Sequence, residues 1–493
     1  MANVEIKVGA RITVDVSGVI APVVTELCEE FTHANPQHAK LKAMGFFAAN
    51  EPRVITTWTA RDNVLTLPRG GMARLRAVLK KHGIAFAVKD QRVGSARRPV
   101  SMKGSVPPHL VKLYDYQADA MNAALQTENC IVRAPTGSGK TTIALAFASA
   151  CQTTVLVSVH SGGLFDQWIE RAQRELGMQR HEIGIIRGAT KKLKPLTIAM
   201  QQTLNAMTPA HWKQVQDSFG AVIADEVHHA SATTFFKTFD RIPARYRIGI
   251  SADESRRDRK EFLTHDLFGD VAFEVTQSEL VDRAIVHDVQ VKLVPTVTEA
   301  EWYVEAREAG AMPDWSLLLA TLTGDTARTD AAVRLIAESA RDGFRCLVFS
   351  GRVEHCREVD ARLRALGVRS GLMLGGDEWK DTYRETRAKL ESGEVTVAIG
   401  TPQAVGEGID LPAVDRGFLL TPMMSRQAFG QVRGRICRTA TGKSDAAIFV
   451  MWDRRVFGKS IAENMAKWNK NVVVVEDDGS ETEINKYLER SER

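Results

Sequence analysis

The chain has 493 residues, 44% of them hydrophobic and 25% charged, with a formal net charge of +5. These values exclude a chain disordered throughout, and no apolar run approaches the ~20 residues that span a bilayer. Length alone suggests about three domains. The cysteines at 28, 130, 151, 346, 356 and 437 form no Cys-x-x-Cys pair, which argues against a zinc ribbon, an iron–sulfur site or a disulfide framework. Free thiols in a reducing cytoplasm fit better. Glu5, Lys7 and Arg11 leave the N-terminus without an apolar signal core, so secretion is not expected.

The charge is unevenly placed. Residues 1–108 hold 16 Lys and Arg against 8 Asp and Glu, a net of +8, and residues 52–103 hold 12 against 2. The rest of the chain is near neutral. A basic segment joined to a neutral body is an electrostatic footprint for phosphate backbones. The plainer alternative is a solvated surface that aids solubility.

Taken in order, Ile12 to Val16 alternates like a strand and residues 21–33 carry a helical pattern. Arg53 to Thr59 and Val64 to Leu67 read as strands around a turn at Arg61-Asp62-Asn63. Met72 to His82 reads as a helix closed by Gly83, with Arg74, Arg76, Lys80 and Lys81 making it basic. Ile84 to Val88 is a further short strand. Arg97 to Pro108, rich in proline and serine, reads as a linker.

From about 109 the texture changes. Apolar runs at Cys130–Val132, Thr154–Val159, Thr197–Met200, Ala221–Ala224 and Arg247–Ile250 alternate with longer helical stretches. Such runs predict a parallel sheet covered on both faces. The pattern returns at Cys346–Phe349, Val395–Ile399, Phe418–Leu420 and Ala447–Val450, with a helical stretch at Trp302–Asp330 between the two halves. Val472–Val475 followed by Asp477-Asp478-Gly479 predicts a terminal hairpin.

The strongest chemical signal is Ala134-Pro135-Thr136-Gly137-Ser138-Gly139-Lys140-Thr141, followed by Thr142, between an apolar strand and an Ala-rich helix. The glycines let backbone N–H groups face phosphate oxygens and the helix start adds partial positive charge. Lys140 would reach the β- and γ-phosphates and Thr141 would bind Mg²⁺. The apolar strand Ala221–Ala224 ends in Asp225-Glu226, which suits Asp225 to Mg²⁺ and Glu226 to activating water. His228-His229 next to it offers a metal pair, but no third ligand lies nearby in sequence. Charge that builds on the γ-phosphate calls for a cation from elsewhere in the chain, and Gln431-x-x-Gly434-Arg435-x-x-Arg438 offers one in its arginines, delivered across an interdomain cleft; spaced three apart, Arg435 and Arg438 would share a helical face.

This set resembles the superfamily 2 helicases of the DEAD/DEAH type, in the XPB-like and bacteriophage UvsW-like branch, over about 109–455. Asp225-Glu226-Val227-His228 matches the box. Tyr114-Asp115-Tyr116-Gln117 is similar to the adenine-contacting segment, with Gln117 as base reader. Leu164 to Trp168 falls where motif Ia precedes Gln-Trp. The resemblance implies nucleic-acid contact or coupling for Gln201, Ser251, Ala252, Ser350 and Thr401. It also implies nucleotide contact for Gly408 and Asp410, within Gly406 to Pro412, and catalytic roles for Gln431, Arg435 and Arg438. Three positions depart from the pattern: Tyr114 stands for an arginine, Asp253 for a threonine, and Val159-His160-Ser161 for a Pro-Thr pair.

The fold expected is α/β: two tandem RecA-like parallel-sheet domains with a small basic N-terminal α/β accessory domain. The expected divisions are 1–108 (accessory, with linker), 109–294 (ATP-binding), 295–330 (helical connector), 331–460 (second RecA-like) and 461–493 (tail or hairpin). The expected activity is an ATP- and Mg²⁺-dependent DNA helicase or translocase acting on branched or forked duplexes, or on single strands, with Arg74, Lys80 and Lys81 gripping the backbone. Replication or recombination proteins are the expected protein partners, and no membrane. An RNA helicase and the motor subunit of a restriction or defence complex are the alternatives.

Overall fold

In the computed structural model, residues 4–490 are described apart from 46, 48–50, 99, 228–231, 253–258, 312, 406–410, 412–413, 440–442, 444 and 477. The expectations placed on His228, His229, Asp253, Gly408, Asp410 and Asp477 therefore lie outside the described residues. The chain forms two compact units: Met1–Pro135 with Gly139–Thr276, and Gln277–Arg493 with Thr136–Ser138.

The N-terminal part of the first unit contains β1 (Val4–Val8), β2 (Ile12–Asp15), β3 (Thr32–Ala34), β4 (Val54–Thr56), β5 (Thr59–Arg61), β6 (Val64–Leu67) and β7 (Phe86–Asp90). Five of these make a sheet in the order β5-β6-β2-β1-β7, while β3 and β4 pair separately. The strand expected over Arg53–Thr59 thus breaks into two, because β4 turns to β3 while β5 joins β6 across Asp62 and Asn63, both at positive φ. The helix Ala21–Glu29 buries Val23 and Leu27, and the helix Met72–Lys81 buries Leu75, Val78 and Leu79, against the apolar face of β1, β2 and β6.

The larger part of the unit is an eight-stranded sheet. It comprises β8 (Asn129–Arg133), β9 (Val155–Val159), β10 (Ile183–Arg187), β11 (Thr190–Lys192), β12 (Leu196–Met200), β13 (Ala221–Asp225), β14 (Tyr246–Ser251) and β15 (Val271–Glu274), in the order β11-β10-β12-β9-β13-β14-β8-β15. All neighbours are parallel except the β10–β11 hairpin. Every residue of β9, β13 and β14 is buried, as strands covered on both faces require. Because β13, β14 and β8 are adjacent, their C-terminal ends gather the segments that follow them at one sheet edge.

The second unit repeats this plan with β16 (Val289–Thr296), β17 (Cys346–Phe349), β18 (Ser370–Met373), β19 (Val397–Gly400), β20 (Arg416–Leu419), β21 (Ala446–Asp453), β22 (Val472–Val475) and β23 (Glu481–Glu483). Their order is β18-β19-β17-β20-β21-β16-β22-β23, with only β22–β23 antiparallel. β16, which starts before residue 295 and runs past it, lies between β21 and β22, so the strands of this unit begin earlier in the chain than the apolar runs suggested. The terminal hairpin completes the same sheet. Between β16 and β17 the chain forms helices Glu301–Glu308, Trp315–Gly324 and Thr326–Arg341. Among the described residues no helix is long and apolar enough to cross a membrane. All six cysteines are free thiols.

Residues 1–108 do not hang from the first unit on a tether. Arg69 is buried and donates to the carbonyls of Ala244 and Arg245. Four module arginines meet four acids of the larger sheet's framework: Arg11 with Asp240, Arg74 with Asp266, Arg92 with Glu128 and Arg98 with Asp217. The stretch expected to be a linker, Arg97 to Pro108, is pinned through Ser101, which donates to the Asp217 carbonyl; just before it, Val93 exchanges backbone hydrogen bonds with Pro243 and Arg245. At Gly70 a Cβ would lie 2.1 Å from His265 O and 2.4 Å from Gly269 N, both backbone. Gly70→Ala is therefore expected to destabilise the first unit by about 1–3 kcal/mol or more, read as a fall in melting temperature that Arg76→Ala, on an exposed position nearby, does not produce.

Candidate nucleotide-hydrolysis site

The site grows from the ends of β8, β13 and β14. After β8, Ala134 N–H donates to Ser251 O at the end of β14, tying the loop to its neighbour strand. Pro135, Thr136 and Gly137 then turn, Ser138 is buried, and Gly137 and Gly139 take φ of +94° and +79°. The helix Lys140–Ala150 follows with Gly139 as its N-cap and no side-chain cap. The first N–H groups of that helix have no helical acceptor and are open to an anion. A Cβ on Gly139 would stand 2.5 Å from Gln117 Nε2. Only glycine lets the loop and Gln117 approach this closely.

Gln117 itself is buried at the start of the helix Asp115–Thr127. Its Oε1 accepts from Tyr114 N–H at 3.1 Å, and its Nε2 donates to the Tyr116 hydroxyl at 3.3 Å. The side chain lies against the loop at Gly139. Tyr114, where an arginine was the expected residue, is 53% exposed and its ring is stacked on Tyr116.

β13 carries Asp225 to the same edge, and Glu226 follows with φ +50°, a left-handed turn uncommon for glutamate. That turn brings Glu226 Oε1 within 3.3 Å of Lys140 Nζ, the ion pair of P-loop lysine and candidate general base. Asp225 is buried and accepts a hydrogen bond from Trp168 Nε1 at 2.7 Å. Burial and the neighbouring Glu226 carboxylate push the Asp225 pKa well above the usual carboxylate range, against the Trp168 hydrogen bond and the Lys140 and His160 charges. Thr141 is half-buried beside Lys140; Thr142 is buried, and its Oγ1 accepts from Arg171. Among the described residues no group of three or more His, Cys, Asp or Glu could hold a metal. A metal here would draw most of its ligands from outside the protein, with Thr141 and Asp225 as the protein's share.

The other expected residues fall as follows. Ser251 is buried at the end of β14, with Ala252 just after it. Gln201, buried after β12, leaves its Nε2 without a partner among the described residues. In the second unit, Ser350 and Thr401 follow the adjacent strands β17 and β19. Ser350 is fully buried, its Oγ 2.9 Å from His355 Nδ1, while His355 Nε2 lies 3.1 Å from Thr329 Oγ1. Burial holds His355 down at about 4, so it is neutral at physiological pH. Gln431 and Arg435 lie on the helix Arg426–Ile436. Arg438 does not share their face as its spacing suggested: the helix stops at Ile436, Cys437 caps it, and Arg438 pairs with Val286 in an antiparallel bridge. Of the basic residues expected to grip a backbone, Arg74 is bound to Asp266 and the Glu30 carbonyl, Lys81 to Glu26, and Lys80 is exposed with no ion pair among the described residues.

Trp168, Arg171 and His355 carry roles that residue type alone did not signal. Their only sequence cue is position: Trp168 and Arg171 lie one turn apart on a helix whose buried face reads as ordinary core.

The family described as Type III restriction enzyme, res subunit, matches residues 110–254. "DNA 3'-5' translocase XPB2" of Sulfurisphaera tokodaii is 30% identical over 393 residues, covering 72% of this chain and 87% of that protein. "Probable helicase D10" of Escherichia phage T5 is 25% identical over 322 residues, covering 65% of this chain and 67% of its own. In fold, the chain is similar to a fragment of a putative HsdR subunit of a type I restriction enzyme from Vibrio vulnificus, with a TM-score of 0.54 at 20% identity, over 77% of this chain and 71% of that one. A phosphate loop, an Asp-Glu pair behind it and an archaeal relative spanned over most of its length converge on one conclusion: this chain belongs to the XPB-like branch of the superfamily 2 DNA helicases and translocases, and is an ATP-hydrolysing enzyme of that family.

Proposed function

We propose that the protein couples Mg²⁺-dependent ATP hydrolysis to movement on branched or forked duplex DNA. The observation that carries the hydrolytic half is the Lys140–Glu226 pair at the mouth of the loop. The donor set suits a nucleoside triphosphate: open helix N–H groups, a glycine cradle, a lysine and a threonine hydroxyl. When bound, the nucleotide supplies the anhydride bond and the Mg²⁺ a Lewis acid. Lys140 exchanges the Glu226 carboxylate for phosphate oxygens. Glu226, released, accepts the proton of the water that attacks the γ-phosphorus as the bond to the ADP oxygen breaks. Asp225 and Thr141 hold the metal side. Gln117 keeps the loop in place and Arg435 and Arg438 stabilise developing charge.

The DNA half is supported by the names of the relatives and by the bases that docking leaves over. Arg53, Arg76, Lys80, Lys89, Arg97 and Lys103 are exposed and make no ion pair among the described residues. Arg76 and Lys80 are four apart on one helix and share a face. The deciding experiment is ATPase stimulation and binding across single-stranded, duplex, forked and four-way DNA, with matched RNA. Forked and four-way DNA are expected to bind tightest. Arg76→Ala with Lys80→Ala is expected to lower the slope of log K against log salt by about 2 while basal ATPase stays intact. Equal affinity for linear and branched DNA would refute the branched substrate, and stronger stimulation by RNA would favour an RNA helicase.

A further inference from the structure

Asp225 is a buried acid beside a second acid, and its environment contains a neutral donor that the hydrolysis scheme does not use. Trp168 is fully buried, and a buried indole N–H needs an acceptor. It finds Asp225 Oδ2 at 2.7 Å. Asp225 Oδ1 makes no hydrogen bond among the described residues. The same helix, Gly162–Leu176, also carries Arg171, whose guanidinium donates to Thr142 Oγ1 in the first turn of the P-loop helix. One rigid helix therefore braces both the loop helix and the acid.

From this geometry we infer that Trp168 is a positioning residue for the metal: it occupies one oxygen of Asp225 and so presents the other, Oδ1, to Mg²⁺. This rests on the reading of Asp225 as a Mg²⁺ ligand. The choice of an indole has a chemical reason. A lysine or arginine at this place would hold the carboxylate equally well, but its charge would repel a divalent cation. An indole N–H orients the carboxylate, adds no charge and has no proton to lose in the working pH range. Second-sphere hydrogen bonds of this kind commonly govern metal affinity by about 10–100-fold.

The test is calorimetric titration of the full chain with ADP, with Mg²⁺ and then with the metal chelated, on wild type, Trp168→Phe, Asp225→Asn and the double variant. Trp168→Phe is expected to weaken ADP binding about tenfold in Mg²⁺ and to leave metal-free ADP binding unchanged. The Mg²⁺ concentration for half-maximal ATPase should rise by a similar factor. The double variant should bind as Asp225→Asn does, since the indole acts through that carboxylate. Trp168→His, which keeps a ring N–H, should recover part of the Mg²⁺ effect. Equal weakening with and without Mg²⁺, no change at all, or additive losses in the double variant would each overturn the assignment of Trp168 alone. If wild type binds ADP no better with Mg²⁺ than without it, the metal reading of Asp225 falls and this assignment with it.

Discussion

Glu226→Gln should lower the DNA-stimulated ATPase rate by about 10²–10⁴-fold while nucleotide binding persists. The amide keeps the shape of the side chain and can still accept from Lys140, which lies 3.3 Å away in the wild type, but it cannot take a proton from water. Lys140→Ala should also abolish turnover, for a different reason. It removes the charge that balances the phosphates and the lysine that pairs with Glu226 beside the buried Asp225. Nucleotide affinity should therefore fall in Lys140→Ala and hold in Glu226→Gln, which equilibrium binding of ADP separates from the rate. Undiminished stimulated ATPase in either variant would sink the site.

The second large effect is on stability. Asp266, on the helix Glu261–Phe268, is buried under the N-terminal module and is met there by three of its residues: Arg74, His33 at 3.0 Å and Thr57. Burial alone would raise its pKa. The His33 and Thr57 hydrogen bonds and the Arg74 charge more than offset this, and the net shift is downward from 3.8. Asp266→Ala removes the buried acceptor shared by Arg74, His33 and Thr57, which stay partly buried, and is expected to cost about 3 kcal/mol. Chemical denaturation of the full chain measures it. An effect within about 0.5 kcal/mol would mean that the module is only loosely held. The sign with pH follows from the lowered pKa. The stability that ionised Asp266 contributes is present above its unfolded value near 3.8 and is lost as pH falls through the still lower folded value, so wild type should lose stability in strong acid more steeply than Asp266→Ala.

This interface also changes what removal of residues 1–108 would do. A tethered module could be cut away with the motor left whole. Here its loss would uncover Asp266 and strip Arg247, fully buried, of the Ala10 carbonyl it donates to. The basic excess has a double use. Four arginines dock the module on acids, and about half of the bases in 52–103 remain exposed for a polyanion. Arg74 and Lys80, six residues apart on one helix, illustrate the split, and no composition count can distinguish them.

What could be read before folding was whatever depends on neighbours along the chain. The phosphate loop is a strand, a glycine turn and a helix start in unbroken succession, so Gly137, Gly139, Lys140 and Thr141 declare themselves. Asp225-Glu226 does so because an apolar strand ends on them. The two parallel sheets follow from alternating apolar runs and helices. What only the tertiary structure decided were pairings between distant residues: Trp168 with Asp225, His355 with Thr329, Asp266 with a module some 200 residues away. It also decided that Arg438 lies beyond its helix, because a bridge to Val286 competes with one more helical turn. The physical reason is common to all of them. A hydrogen bond or ion pair depends on which strands and helices become neighbours, and that is set by burial of whole apolar faces rather than by any property of the two residues that finally meet.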